Sequence, residues 1–246
     1  MSFLRALGAT AVFALTLSSA HAKKTGFLDS QKGIVLGIGT YKYRDTNNAH
    51  DPVPALAATG TDTSGSNTIK FLPIRAGLFV TRGPAEIETY LRYMIAQNGG
   101  WTATGGQDGT GNTSYKSIGA GINAGVALYK LDSFQIKTTL NAEYVMQKAS
   151  LSFKDTSGTD LIQLGTNSLL AGAGLQPELW LADLWVLSLF AGYQYGFQQP
   201  WTVSEGATFM GRTHTAGGLV NGAGDPAHAR FGGFLLEVAL KLNFHN

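Results

Sequence analysis

Between residues 32 and 244 apolar and polar residues alternate in eight long stretches, at 32–43, 69–82, 86–97, 114–129, 134–153, 167–182, 185–197 and 229–244. A period of two is that of a β-strand, whose successive side chains point to opposite faces. The chain is therefore read as all-β, each strand with one apolar and one polar face. The connections alternate as well. Those at 44–68, 98–113, 154–166 and 198–228 are long, whereas those at 83–85, 130–133 and 183–184 are short. Tight turns at one end and long loops at the other describe an antiparallel up-and-down sheet. An even strand count puts both termini at the tight-turn end.

A soluble sandwich also alternates, so the apolar face has to discriminate. Phe134 and Tyr144, Trp185 and Tyr195, and Phe234 and Phe244 each stand ten residues apart on that face. Ten residues of a strand tilted near 40° rise roughly 25 Å, the height of the apolar band between two aromatic girdles. After residue 22 no run approaches the eighteen apolar residues of a membrane helix. The fold class expected is thus a transmembrane antiparallel up-and-down β-barrel of eight strands, with ten as the alternative count.

Residues 1–22 read as a secretory signal peptide. Arg5 supplies the positive region, Ala6 to Leu17 the apolar core, and Ala20-His21-Ala22 the cleavage site. The barrel then occupies 23–246. The chain has no cysteine, so an exported domain must be held by packing and sheet closure. Its 18 basic and 16 acidic residues nearly balance, which argues against nucleic acid as a partner. Glycine, at 32 residues, is nearly twice its usual share, and many glycines fall on the inward parity, where a narrow interior needs room.

The inward charges are Arg75, Glu86, Glu88, Arg92, Lys137, Glu143, Glu178, Glu237 and Lys241. Eight strands leave an interior that side chains fill, so these charges are expected to pair and plug the lumen. Matched depth sets Glu237 against Arg75 or Arg92, and Lys137 beside Glu178. Five further cations, Lys42, Lys70, Lys116, Lys148 and Arg230, take the outward parity at the long-loop ends of their strands. There they form a candidate collar for the phosphates of lipopolysaccharide. Pro177 falls mid-strand, where a bulge or local break is expected, and Pro73 nearer a strand end.

Catalytic signals are absent. His50, His214 and His228 fall in expected loops and His245 in the tail; no HExxH, CxxC or phosphate-binding loop occurs. Asp108 to Asn112 is acidic and glycine-rich but lacks a liganding glutamate. The expectation is no enzyme, no metal and no cofactor.

In this pattern the chain resembles the small eight-stranded bacterial outer-membrane barrels, the OmpA-barrel and OmpX-like group. The resemblance covers almost all of 23–246. Such barrels usually end on an aromatic residue read by the barrel-assembly machinery; here Phe244 holds that parity and His245-Asn246 follow. The resemblance implies an outer-membrane location, contact with lipid and lipopolysaccharide, and a structural or surface-interaction role. Loops 44–68 and 198–228 are the candidate contacts for a surface ligand. Alternatives are a narrow channel or small hydrophobic-molecule transporter, as in OmpW-like barrels, and a membrane enzyme that modifies lipid A. No periplasmic domain is expected after the last strand.

Overall fold

The computed structural model describes residues 31–44, 52–57, 59–64, 68–96, 99–220 and 229–244. The leader at 1–22 lies outside the described residues. Eight strands form the wall: β1 (Gln31–Arg44), β2 (Thr68–Arg82), β3 (Ala85–Ala96), β4 (Gly109–Lys130), β5 (Phe134–Lys154), β6 (Thr159–Trp180), β7 (Trp185–Gln198) and β8 (Ala229–Phe244). Each pairs antiparallel with its sequence neighbours, and β8 pairs with β1, which closes the ring.

The registers set the barrel's shape. Ile34 pairs with Leu78, Leu78 with Thr89, Thr89 with Ile122 and Ile122 with Ala142. The row continues through Ala171, Tyr195 and Gly232 and returns to β1 at Arg44. One circuit therefore slips ten residues along β1. A slip of about 33 Å over eight strands spaced about 4.8 Å apart gives a tilt of about 40°, inside the usual barrel range. The tilt assumed from the aromatic spacing is thus the one the hydrogen-bond registers impose.

The outward face is apolar and exposed, from Leu36, Leu78, Ile87 and Leu91 round to Leu140, Leu175 and Leu240. Five of the six aromatics spaced by ten are exposed, and Phe134 is half-buried. In water such a belt would be an aggregation surface. Around a closed ring it is the surface a bilayer covers, and closure leaves no unpaired edge inside the lipid.

Both mid-strand prolines interrupt a ladder without shifting it. Between β6 and β7 the pairing skips Gln176 and Pro177 yet resumes in the same register. Between β1 and β2 it skips the stretch facing Pro73 in the same way. Each proline lacks one donor, so the expected break at Pro177 is a local gap, not a bulge. The bulge lies elsewhere, on β4 between Ala127 and Tyr129 beside a tight turn. There it turns both Leu128 and Tyr129 outward.

The long connections correct the sequence reading. The segments 98–113 and 154–166 are mostly strand: β4 and β6 start well before 114 and 167, and a further strand runs over Gly99–Gly105. At the tip between β5 and β6 the Asp155 carboxylate accepts from Ser157 N (2.7 Å), Ser157 Oγ (2.7 Å) and Gly158 N (2.9 Å). These three bonds hold its carboxyl below the usual carboxylate range and make Asp155 to Gly158 a tight turn. The connection 44–68 contains a helical turn, Val53–Leu56, and a strand, Thr61–Ser64. The connection 198–228 contains short strands at Trp201–Val203 and Leu219–Val220, and a hairpin of Ala207–Phe209 with Arg212–His214. At 21 and 22 residues, β5 and β6 are about 50 Å tall at this tilt. They stand well clear of the bilayer on the long-loop side.

Candidate functional site

The lumen is filled in two chemically distinct layers. Toward the tight-turn end, Lys137, Lys241, Glu86 and Glu178 form a closed square of alternating charge. Lys137 Nζ lies 2.6 Å from Glu86 and 2.7 Å from Glu178. Lys241 Nζ lies 2.5 Å from Glu86 and 2.6 Å from Glu178. Gln135 and Gln176 donate to Glu178 at 2.5 and 2.8 Å. Lys241 also stands over the Phe79 ring, 5.1 Å from its centroid.

Next along the axis, Arg75 reaches Glu88 at 2.9 Å and Glu237 at 2.6 Å. Arg92 pairs with Glu143 and stands 3.8 Å from Glu237. Tyr90 lies between the guanidinium groups, 5.3 and 4.9 Å from its ring centroid, and donates its hydroxyl to Glu143 at 3.2 Å. The Arg75 contacts are ion pairs without the angles of aligned hydrogen bonds. All nine charged side chains are at most 4% exposed. Every cation named for the lumen thus meets at least one carboxylate, and Glu237 contacts both arginines. Four cations face five carboxylates, so the arginine tier carries one unmatched acid.

Above this lies an apolar core that the sequence reading does not contain. Trp101 stacks on Phe153 with centroids 5.5 Å apart and planes 6° apart, and Phe209 leans on both at 6.4 and 6.3 Å. Tyr115 bridges Phe71 and Trp201, each at 6.2 Å. Leu56, Met94, Leu151, Leu164 and Met210 belong to the same cluster. Trp101 lies flat across its cross-strand partner Gly111, where a β-carbon would overlap the indole.

The hairpin 207–214 caps this core. Phe209 and Met210 have no exposed surface. Met210 is the one non-glycine among the described residues with positive φ, +51°, and Gly211 follows at +73°. That pair is the mirror-image turn that suits a two-residue hairpin. Burial of the Met210 side chain and donation of its N–H to Asp160 at 2.9 Å hold it there. Arg212 donates to the Ala57 carbonyl at 3.1 Å, and Gln107 packs against Gly211 so closely that a β-carbon there would collide with it. One hairpin thereby ties together segments from all three other long connections.

His214 ends that hairpin. Partial burial and the neighbouring Arg212 push its pKa below the ordinary value, outweighing the Leu56 and Phe209 carbonyls. A depressed folded pKa means the unfolded segment binds the proton more readily, so the hairpin loses stability as pH falls below about 6.5. An NMR titration should place the His214 midpoint below about 6.5, and Arg212→Gln should raise it. A midpoint at or above that value would contradict the packing described.

Of the outward cations, Lys42, Lys70, Lys116 and Lys148 are exposed on the lipid-facing parity at the long-loop boundary. Lys42 stands opposite Lys70, and Lys116 opposite Lys148. The backbone of Arg230 pairs with Phe197, and its side chain lies outside the described residues. So do His50, His228 and His245, and parts of loops 44–68 and 198–228.

No family model matches the chain, and no curated protein matches its sequence. Among solved structures it is similar to Ail, the attachment invasion locus protein of Yersinia pestis, at 10% identity, with 88% of this chain and 100% of that one covered and a TM-score of 0.40. It is similar to neisserial surface protein A at 12% identity, covering 86% and 99%, with a TM-score of 0.35. It is also similar to the outer-membrane protease OmpT of Escherichia coli at 7% identity, covering 88% and 95%, with a TM-score of 0.37. The closed ring and its outward apolar belt decide the architecture. This chain is an eight-stranded transmembrane barrel of the outer-membrane type.

Proposed function

We propose that the protein is a sealed outer-membrane barrel with a structural or surface-interaction role. The observation that carries this reading is the double closure of the lumen. An ion-paired tier fills the half within the bilayer, and an apolar core under a tied hairpin fills the half above it. A conducting pore needs a continuous wet path, and stacked aromatic rings offer none. What the closed barrel presents is its top: a folded cap about 25 Å above the membrane, assembled from all four long connections. Loops 44–68 and 198–228 are the surfaces offered to a ligand.

The collar belongs to the same reading. Four exposed lysines at one boundary match the phosphates of lipopolysaccharide, Arg230 shares their outward parity in the sequence, and the barrel-assembly machinery is the expected insertion partner. In planar bilayers the purified protein should show no channel of porin size. Steady openings of that size at neutral pH would replace this reading with the channel one.

A further inference from the structure

Lys116 and Lys148 are direct cross-strand neighbours on β4 and β5. Like charges in that position repel, and neither takes part in any ion pair among the described residues. An external anion is what would make the pair favourable. Directly below, the same two strands change character. β4 continues through Ile118 to Ala120 and Ile122, and β5 through Met146 to Tyr144 and Ala142. Those last four residues, with Ala76 and Leu91, line a groove of about 760 Å³ in the lipid-facing wall. The small side chains Ala76, Ala120 and Ala142 make the dent, and the larger ones rim it. Four residues, about 13 Å of strand, separate the lysine pair from the nearest part of the groove.

We infer that this sector of the wall holds one phosphorylated, acylated glycolipid of the outer leaflet. A phosphate is clamped between Lys116 and Lys148, and an acyl chain of the same molecule lies in the groove beneath. The sector offers charge complementarity above, apolar concavity below and a separation that one acyl chain spans. Lys42 and Lys70 are also adjacent across their strands, but they stand farther from the groove: its nearest residue on their two strands is Ala76, six residues and about 20 Å from Lys70. The inference rests on the outer-leaflet reading above, but it concerns one sector and one bound molecule, where the collar is a diffuse contact.

The test is native mass spectrometry of the full protein in detergent, titrated with phosphorylated lipid A and with dephosphorylated lipid A. The natural protein should retain one phosphorylated molecule. K116Q/K148Q should weaken that binding about 25-fold, at about fivefold per cation near an anionic surface. It should not alter the binding of the dephosphorylated form. A120F, which fills the groove, should weaken both forms about tenfold by displacing roughly two methylenes from it. A142L serves in its place if A120F fails to insert. K42Q/K70Q is the control and should have the smaller effect. Unchanged binding to A120F and A142L overturns the site. So does an equal loss in the two lysine variants, which would leave only the diffuse collar. If no lysine variant alters binding, the collar falls too. Retention of a second protein copy instead of a lipid, abolished by A120F, would assign the groove to self-association and overturn the inference.

Discussion

Lys241→Met should destabilise the barrel by about 3–5 kcal/mol in urea unfolding from lipid vesicles, the range for breaking a buried ion pair by removing one partner. Lys241 lies between Glu86 and Glu178 at 2.5 and 2.6 Å. Without it, two buried carboxylates share Lys137 alone, in a lumen walled by lipid-facing strands. Methionine keeps most of the volume, so the loss is electrostatic and not a cavity. The square predicts its own partial rescue. Adding Glu86→Gln returns the tier to one cation and one anion and should recover about 1–3 kcal/mol as a coupling between the two sites. Glu88→Gln is the opposite case. It removes one carboxylate from a tier where three face two arginines, and Arg75 keeps Glu237. It should change stability by no more than about 1 kcal/mol. If Lys241→Met and Glu88→Gln have equal effects, the charges do not act as the two separate tiers described.

Phe153→Ala should open the upper half of the molecule while leaving the lower half closed. Phe153 is 1% exposed and touches both Trp101 and Phe209. Truncating a buried phenylalanine costs about 3–5 kcal/mol. The cost falls on a unit that projects beyond the bilayer and can open by itself. Hydrogen exchange should therefore rise across 99–113, 149–164 and 201–214. The strands inside the lipid, and the shift in gel migration on heating that marks an intact barrel, should persist. Leu140→Ala is the control. Its side chain is 66% exposed on the lipid-facing wall, and it should leave exchange in the cap unchanged. Loss of the heat-dependent shift in Phe153→Ala would show that the cap and barrel fold as one unit.

Much of this arrangement is legible along a single strand. On β5 the outward parity reads Leu140, Ala142, Tyr144 and Met146, then Lys148, Ser150 and Ser152. The inward parity reads Asn141 and Glu143, then Val145, Gln147, Ala149, Leu151 and Phe153, apolar but for Gln147. The apolar side changes over at the boundary because the outer environment changes from lipid to water. Reading the alternation as one continuous pattern finds the strand but misses the change of side. That is why the apolar core escapes the sequence reading although Leu151 and Phe153 lie within the stretch assigned to the strand. The turns were open to reading as well. Asp155-Thr156-Ser157-Gly158 carries the acid-first, glycine-last chemistry of a tight turn, which would have turned the expected loop 154–166 into a hairpin tip.

The hairpin 207–214 was not legible in that way. Met210-Gly211 is not a usual pair for its turn, and Met210 holds its positive φ where Asp160 and the aromatic cluster meet it and Gln107 packs against Gly211. By itself the sequence determined the alternating strands, the membrane-facing belt and which charges point inward, because each follows from a period-two rule acting within one strand; the count of eight and the tilt of about 40° are fixed by the closed ring and its registers. Matched depth on neighbouring strands already set Lys137 beside Glu178, but only the tertiary structure decided that Glu86 joins both lysines, that Lys241 also meets Glu178, and that the long connections fold into one cap. Those contacts join residues on strands that are not neighbours, or on separate loops. Their pairing is set by the ten-residue slip around the closed ring, a property of all eight registers together and of no segment alone.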